Sequence, residues 1–439
     1  MEKRLDINDW YTSNFIEFEK KLNGDLSKEI NKLRKDALKN FESLKFPSQS
    51  DEEWKYTNIS PLLKHNFVQF FGNAKISKDQ IKKRLFNNLE HSLLVFVNGN
   101  YSADKSDLLN LPKGVVVESL SNASKNHSYL IQQHFSKYAS YTNHLFTALS
   151  TAFTKDGAFI YVPENAIVDE AIHLLFITDL SNEKIITHPR NLFIAAKNSQ
   201  VKIIEHYASV DDDQIYFTNS VTEIFTGENA VVDHIKLQEE SRSSYHIARM
   251  EVDQEKNSNF RSHSISTGAQ IARNDFNAKF NDEGGECTLN GLFMIEDSQL
   301  FDAHTLIDHA KPHCNSHEHY KGILDDKSRG VFNGKVIVRT DAQKTNAFQE
   351  NNNILLSNEA LVNTKPQLEI FADDVKCSHG ATIGQLDDEA KFYLKSRGIG
   401  EESSKAILLH AFASDVITSI KIEPVRNYLE EILTKRFNN

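Results

Sequence analysis

The chain has 439 residues, of which 39% are hydrophobic and 25% charged, ordinary values for a globular protein long enough to contain two or three structural units. Its formal net charge of −11 disfavours nucleic acid or an anionic membrane as a partner, because either would require clustered Lys and Arg. Seventeen glycines and eight prolines exclude a collagenous or low-complexity protein.

The cysteines and the N-terminal sequence predict the compartment. Cys287, Cys314 and Cys377 are widely spaced and odd in number, which is typical of reduced thiols rather than of a disulfide framework. The first ten residues, MEKRLDINDW, lack the apolar core of a signal peptide, and no apolar run approaches the length that crosses a bilayer. We therefore expect a cytoplasmic protein.

Residues 1–150 are predicted to form an N-terminal helical or mixed α/β domain. From Ser27 to Leu44 the apolar residues recur every three or four positions, which indicates one face of an amphipathic helix that Pro47 ends. The apolar run from Leu93 to Val97 is typical of a short buried strand, and Asn98 begins a turn after it.

Residues 151–385 are predicted to form a β-solenoid. Short β-branched and aromatic runs alternate there with polar turns, and similar turn-to-strand junctions recur. The first residues after four such turns are 30, 29 and 28 residues apart: Val201, Val231, Phe260 and Thr288. Strands that recur at a near-constant interval without helices between them are typical of stacked solenoid turns. A β-sandwich is the competing interpretation, but the interval is too long for simple hairpins.

Residues 386–439 are predicted to form a C-terminal helical domain. Asp387 is placed to cap a helix, and Gly398 is the expected glycine stop. Leu409 to Ile420 gives a second amphipathic helix, and a third is expected to begin near Pro424. Uncovered ends of a strand stack invite pairing with another chain, so we expect the helical ends and a partner subunit to cover them.

Cys377 and His379 are the first candidate site. They lie two residues apart in the run DDVKCSHGATIGQLDDEAKFYLKSRGIG and would project from one face of an extended strand. Thiolate and neutral imidazole both bind transition metals, but two ligands cannot close a site, which indicates that another chain would complete it. On these residues alone, a buried cysteine beside a histidine satisfied by the backbone is the favoured interpretation.

That run resembles the C-terminal signature of the SufB/SufD family, the β-helical scaffold subunits of the Suf iron–sulfur cluster assembly machinery. Two further segments are similar to family elements in the same order: DEEWKYTNIS at residues 51–60 and HTLIDHAKPHCNSHEHYKGIL at residues 304–324. The order C-S-H-G-A-T followed by S-R-G-I is similar to the SufD branch. In the SufB branch, a sulfur-accepting cysteine and a glutamate occupy the positions that hold Ala360 and Gly380 here.

The resemblance implies a mainly β fold, a right-handed parallel β-helix core flanked by N-terminal and C-terminal helical domains. It implies a cytoplasmic scaffold subunit that is not an enzyme by itself, pairs with a SufB-like paralogue and assists iron entry. His379 and Cys377 would lie at the cluster-assembly interface, with His379 as a transient metal ligand. A SufC-like ATPase would dock on the C-terminal helices, at Asp387, Phe392, Tyr393, Arg397 and Gly398.

The resemblance also bears on cofactors. It implies none stably bound by the isolated chain, a transient iron–sulfur cluster at the partner interface, and a reduced flavin in the complex, although no flavin motif is present in this sequence. Phosphate-loop, GxGxxG, HExxH, CxxC and GxSxG motifs are also absent from the sequence, so no independent catalytic apparatus is predicted. The isolated chain could form a homodimer through its paralogue-binding surface.

A second cluster of metal-ligand residue types leaves an alternative open. It spans sixteen residues: His304, His309, His313, Cys314, His317 and His319. Its spacing does not match a zinc finger, and solvent-facing histidines with some packing residues are the favoured interpretation. The alternative function is a cytosolic metal-binding protein that uses this cluster. A β-helix carbohydrate-active enzyme is less favoured, because a secretion signal is not seen.

Overall fold

The computed structural model describes residues 7–22, 26–72, 76–179 and 183–437. The helices among them are α1 (Ile7–Leu22), α2 (Lys28–Ser43), α3 (Lys78–Lys82), α4 (Leu120–Asn126), α5 (Ser128–His134), α6 (Leu145–Ala152), α7 (Asp388–Ser396), α8 (Glu401–Thr418) and α9 (Glu423–Phe437), with 3-10 turns at Glu52–Trp54 and Leu62–Lys64.

The strands are β1 (Val68–Gln69), β2 (His91–Val97), β3 (Asn100–Tyr101), β4 (Val116–Ser119), β5 (Ala158–Val162), β6 (Ala171–Thr178), β7 (Ile185–Thr187), β8 (Arg190–Ala195), β9 (Gln200–Ser209), β10 (Phe217–Thr226), β11 (Val231–Glu239), β12 (Tyr245–Gln254), β13 (Asn259–Ser266), β14 (Ile271–Phe280), β15 (Glu286–Ile295), β16 (Leu300–His309), β17 (Asn315–Leu324), β18 (Arg329–Val338), β19 (Asn346–Leu355), β20 (Leu361–Ile370) and β21 (Lys376–Gly384).

These strands build a parallel β-solenoid of about eight turns, which confirms the predicted fold class. Sheet A has the order β20-β18-β16-β14-β12-β10-β8-β5-β4, and sheet B has the order β21-β19-β17-β15-β13-β11-β9-β6-β2-β3. Each full turn of the solenoid therefore adds one strand to each sheet. Strands β2, β3 and β4, which lie within the first 150 residues, are hydrogen-bonded into the same two sheets.

The register of sheet B corrects the predicted intervals. Gln200 pairs with Val231, Val231 with Asn259, and Asn259 with Glu286, so successive turns are 31, 28 and 27 residues long. Of the four predicted positions, Val201 and Phe260 share a register row, whereas Val231 and Thr288 are each one residue out of that row.

Asparagines in the left-handed conformation form the turns at one edge. Asn198, Asn229 and Asn257 have φ of 57°, 56° and 52°, a region that Asn tolerates better than most residues. Each side-chain amide also donates to the asparagine one turn earlier: Asn198 to Asn165 at 2.8 Å, Asn229 to Asn198 at 2.9 Å and Asn257 to Asn229 at 3.3 Å. These turns are the repeated junctions from which the solenoid was predicted.

Helices cover the outer faces of both sheets. α8 and α9 pack on sheet B through apolar residues of both elements: Leu409, Val416, Leu429, Ile235, Leu292 and Ile323. α1, α2 and α6 form a second apolar cluster over sheet A. The expectation that the helical ends cover the ends of the stack is wrong for α8 and α9, because outward-facing apolar residues along sheet B give them a longer surface to bury.

The predicted helices and the predicted buried strand are confirmed. α2 begins after Ser27, α8 and α9 match the second and third C-terminal helices, and β2 contains the predicted run before the positive φ of Asn98. None of the helices in the described part of the chain is long and apolar enough to span a membrane.

Candidate functional site

The last two strands form an open end of the solenoid. β20 pairs with β18 and β21 with β19, and within the described residues neither has a strand on its other side. Such an edge presents unpaired backbone N–H and C=O groups to another chain. Large apolar side chains are exposed there: Leu361 (45%), Ile370 (40%), Phe371 (62%) and Ile383 (46%). We call β20, β21 and Phe371 the open end.

Cys377 and His379 both lie on β21, with side chains on the same face. The register pairs Cys377 with Ala347 and His379 with Gln349, and both partners are buried, inward-facing residues of β19. Cys377 is half-buried against the apolar cluster inside the last turns, and burial raises the pKa of its thiol. His379 is exposed at the mouth of the solenoid interior. The exposure of His379 does not fit the interpretation of a ring satisfied by the backbone.

His304 and His309, from the second cluster, face opposite sides of β16. His304 lies on the outer face, where its Nε2 is 3.0 Å from Asp302 Oδ1 and its Nδ1 is 3.2 Å from Glu53 Oε2. His309 is fully buried in the interior and bonds Ser316 Oγ at 2.8 Å. Both rings are thus engaged by groups of this chain.

The other members of that cluster are also dispersed. Cys314 is buried, and burial raises the pKa of its thiol to about 11. His313 occupies the turn before β17 with φ of 61°, so the strand does not run through it. His317 and His319 share the outer face of β17. Across the described ranges, no three His, Cys, Asp or Glu side chains are placed to hold a metal ion.

Residues 51–58 cross the outer face of sheet A, and we call them the strap. The Arg273 guanidinium lies 3.8 Å from the Trp54 ring centroid, and its Nη1 donates to Glu53 O at 2.6 Å. At the far side of the strap, Glu52 forms an ion pair with Lys365 of β20. The strap therefore fastens the N-terminal region to successive turns, as far as the open end.

The helices after β21 present an aromatic patch. Asp387 accepts hydrogen bonds from two backbone N–H groups of α7, and Gly398 takes φ of 85° after it, so helix geometry accounts for both residues. Phe392 is 73% exposed and Tyr393 58% exposed, with the Arg397 guanidinium 5.3 Å from the Tyr393 ring centroid. We call Phe392, Tyr393 and Arg397 the aromatic patch.

Sequence reasoning missed two polar residues beneath His379. Gln349 and Glu318 are each 3% exposed, and Gln349 Nε2 donates to Glu318 Oε2 at 2.6 Å. Burial raises the pKa of Glu318 to about 7, although hydrogen bonds from Thr305 and Gln349 oppose the rise. The register places His379, Gln349 and Glu318 in one inward column. The repeat was the signal that could have found them, because they precede His379 by one and two turns.

The geometry limits what the open end can do alone. It brings one imidazole and one thiol to the mouth of the interior, beside an unpaired strand edge and exposed apolar side chains. Two donors leave most coordination positions of a metal ion to other groups. An edge strand and an apolar rim are the features through which a second chain could approach those donors.

Comparison with known proteins gives matches along most of the chain. Residues 176–412 match the family profile described as "SUF system FeS cluster assembly, SufBD core domain", and residues 5–174 match the "SufBD protein N-terminal region". The two profiles meet within β6.

Several curated relatives match over nearly their whole length. An iron–sulfur cluster assembly SufBD family protein of Synechocystis sp. is 34% identical over 403 residues, covering 90% of this chain and 88% of the relative. The iron–sulfur cluster assembly protein SufD of Escherichia coli is 32% identical over 385 residues, covering 87% and 86%. Protein ABCI7, chloroplastic, of Arabidopsis thaliana is 30% identical over 410 residues, covering 91% and 84%.

Proposed function

The chain belongs to the SufBD family of iron–sulfur cluster assembly proteins, and from that premise we propose that it is a scaffold subunit of a Suf complex rather than an enzyme by itself. Relatives named SufD confirm the resemblance to that branch. The single observation that carries the proposal is the position of His379, exposed at the mouth of the interior on β21, the last strand of sheet B among the described residues.

The open end is the proposed surface for a SufB-like paralogue. Its free strand edges can accept backbone hydrogen bonds, and Ile370, Phe371 and Ile383 supply apolar area that a partner would bury. His379, and Cys377 beside it, would then supply part of the ligand set for a nascent cluster, while the paralogue supplies the rest and carries the sulfur. The isolated chain could use the same surface to form a homodimer.

The aromatic patch is the proposed contact for a SufC-like ATPase. Phe392 and Tyr393 are large, exposed rings on a short helix, and aromatic anchors next to an arginine are common at the centres of protein interfaces. ATP hydrolysis in the docked subunit would move this scaffold against its paralogue, since α7 directly follows β21. That motion would open or close the access of iron to His379.

Location and cargo complete the proposal. Three free thiols suit a reducing compartment, so we place the protein in the cytoplasm. We propose that iron, sulfide and, in the complex, a reduced flavin bind only transiently, and that the isolated chain holds none of them stably. His304 and His309 lie on opposite faces of β16, in a different sheet from the pair His317 and His319, and no three ligand side chains among the described residues are placed to hold a metal ion. The alternative metal-binding function therefore gains no support.

Replacement of His379 tests the cluster-assembly role. His379→Ala should leave the fold intact, because the side chain is exposed, and should abolish cluster formation by the reconstituted complex, measured by ultraviolet and visible absorption. His317→Ala is the matched control, since His317 is an exposed histidine on the outer face of β17. An unchanged cluster yield with His379→Ala would defeat the proposal.

Removal of the two exposed rings tests ATPase docking. The double variant Phe392→Ala with Tyr393→Ala should no longer co-elute with the ATPase in size-exclusion chromatography. Tyr129→Ala is the matched control, because Tyr129 is 73% exposed on α5, far along the chain from the patch. Equal co-elution of the double variant and the control would reject this surface.

A further inference from the structure

The side-chain amide of Gln349 is hydrogen-bonded through its nitrogen, whereas its oxygen has no partner among the described residues. Its Nε2 donates to Glu318 Oε2 at 2.6 Å, which fixes the orientation of the amide. Its Oε1 is buried and has no hydrogen-bond partner among the described residues. A buried, unpaired amide oxygen loses its hydrogen bonds to water without replacement, so a hydrogen bond from a nearby donor would be favourable.

The free oxygen belongs to the residue directly below His379. Gln349 and His379 are register partners on β19 and β21, adjacent strands about 4.8 Å apart, and both face inward by the alternation of side chains. Gln349 already bonds the residue beneath it in the same column, Glu318. His379 is therefore the next member of that column, on the side of Gln349 opposite Glu318.

A glycine across the interior leaves space for the Gln349 amide. Gly334 of β18 faces Gln349 across the interior, and a Cβ added at Gly334 would lie 2.2 Å from Gln349 Nε2. Hydrogen bonds between register neighbours occur elsewhere on the same two strands, since Asn352 Nδ2 donates to Thr382 Oγ1 at 2.9 Å. A bond from one turn to the next is thus within reach of side chains of this length.

We propose that Gln349 is a positioning residue: rotation of the exposed His379 side chain brings its ring N–H to this free oxygen, which then holds the imidazole in a single tautomer. The other ring nitrogen then keeps its lone pair directed to the open end. Histidines that bind metals commonly donate their second nitrogen to a carbonyl or carboxylate in this way. The metal-directed part of this inference rests on the proposed function, whereas the tautomer does not.

Nuclear magnetic resonance of the isolated chain with 15N-labelled histidine tests the contact. The His379 ring, assigned by its loss in His379→Ala, should show one neutral tautomer in the wild type and a mixture in Gln349→Met. Asn353→Leu is the matched control. The Asn353 side chain is also a buried amide that faces the interior from β19, but its register partner on β21 is Ile383 and not His379. It should leave the His379 signals unchanged.

A second variant guards against misfolding of the first. Gly334→Ala keeps the amide but displaces it, and it should also mix the tautomers of His379. A wild-type His379 ring that already exchanges between both tautomers overturns the proposal without any variant. A single tautomer that survives in folded Gln349→Met overturns it as well.

Cluster assembly separates this inference from the function on which it rests. In the reconstituted complex, Gln349→Met should lower the cluster yield roughly tenfold, in the range seen for residues that orient metal ligands, and Asn353→Leu should not. A normal yield with His379→Ala would defeat the proposed function and leave the tautomer result standing. A lost yield with His379→Ala and a normal one with Gln349→Met would defeat the positioning role alone.

Discussion

Phe293 and Ile383 occupy the same inward column of sheet B, three turns apart, yet Phe293 is fully buried and Ile383 is 46% exposed. Both strands alternate their side chains in the same way. The difference is that another turn follows β15, whereas within the described residues no strand follows β21. Burial at a given position in this solenoid is therefore decided by the next turn as much as by the residue.

Two buried polar side chains, Glu205 in the inner turns and Gln349 at the open end, give a second comparison. In the interior, Glu205 lies 3.1 Å from His234 Nε2 and accepts a bond from Thr222. Burial would raise the pKa of Glu205, but His234, Lys236 and the Tyr207 hydroxyl together outweigh it and lower that pKa to about 2. In the column of the open end, Gln349 Oε1 has no hydrogen-bond partner among the described residues. Glu205 is thus satisfied by neighbouring turns, whereas the acceptor of Gln349 lies beside the edge where a further turn would follow.

The largest expected loss of stability comes from a buried ion pair of the inner turns. Glu223 Oε2 lies 2.8 Å from Arg190 Nη2, both side chains are fully buried, and the carboxylate also accepts the backbone N–H groups of Ser136, Tyr138 and Ala139. Glu223→Ala should lower the free energy of unfolding by roughly 5 kcal/mol, because it leaves a buried charge and three amides without partners. Urea denaturation followed by circular dichroism measures the loss.

An ion pair near the open end is the control for that variant. Lys335 and Glu369 lie 2.8 Å apart, and the Glu369 side chain is 45% exposed. Glu369→Ala should change the free energy of unfolding by less than about 1 kcal/mol, because solvent screens the pair. Similar losses for the two variants would erase the contrast between the regions.

Loss of an interior ring should have the next largest effect. Phe293 is fully buried, with its ring centroid 4.6 Å from that of Phe301. Phe293→Ala should lower the free energy of unfolding by roughly 4 kcal/mol, since it removes buried apolar surface and leaves a cavity. Phe392→Ala, at a ring that is 73% exposed, is the control and should be nearly neutral. A neutral Phe293→Ala would mean that the interior can collapse around the missing ring.

The strap should contribute a pH-dependent stability of intermediate size. Burial alone would lower the pKa of His304, but attraction by Asp302 and hydrogen bonds to Asp302 and Glu53 outweigh it and raise that pKa to about 9. A raised pKa stabilises the folded state fully below the unfolded value, about 6.5, and that stabilisation is lost as pH rises through 9. The shift corresponds to roughly 3 kcal/mol.

Substitution at His304 isolates this contribution. His304→Gln should be less stable than the wild type by roughly 3 kcal/mol at pH 6, and the gap should largely close at pH 10. Both proteins share every other titrating group, so the difference between their unfolding curves reports this residue. A gap that stays constant across that range would show that His304 acts by packing and not by charge.

The solenoid and the position of His379 could be predicted because both follow from short-range rules. Repeated turns predict stacked strands, and strand alternation places Cys377 and His379 on one face. The predicted register was wrong by one residue at Val231 and Thr288, because strand pairing and not the first residue after each turn decides it. Gln349 could have been found by counting back one turn from His379.

Contacts between distant segments were beyond such rules. The stacking of Arg273 on Trp54 joins residues more than two hundred positions apart, and it depends on how the N-terminal region packs on sheet A. The second histidine cluster shows the converse. His304 and His309 are close in sequence, but the strand sends them to opposite faces and into separate hydrogen-bond networks.

The smallest expected effect on stability is that of a substitution at the open end. The same substitution tests whether the open end binds a partner. Ile383→Ala should change the free energy of unfolding of the isolated chain by less than about 1 kcal/mol, because the side chain is already 46% exposed. It should nevertheless weaken association with a paralogue, measured by isothermal titration calorimetry, if a partner turn buries it as the next turn buries Phe293. Ile16→Ala, 61% exposed on α1, is the control and should leave the affinity unchanged. Equal affinities of the two variants for the paralogue would show that the partner does not bury Ile383. The exposure of Ile383 would then not mark a position that a partner turn covers.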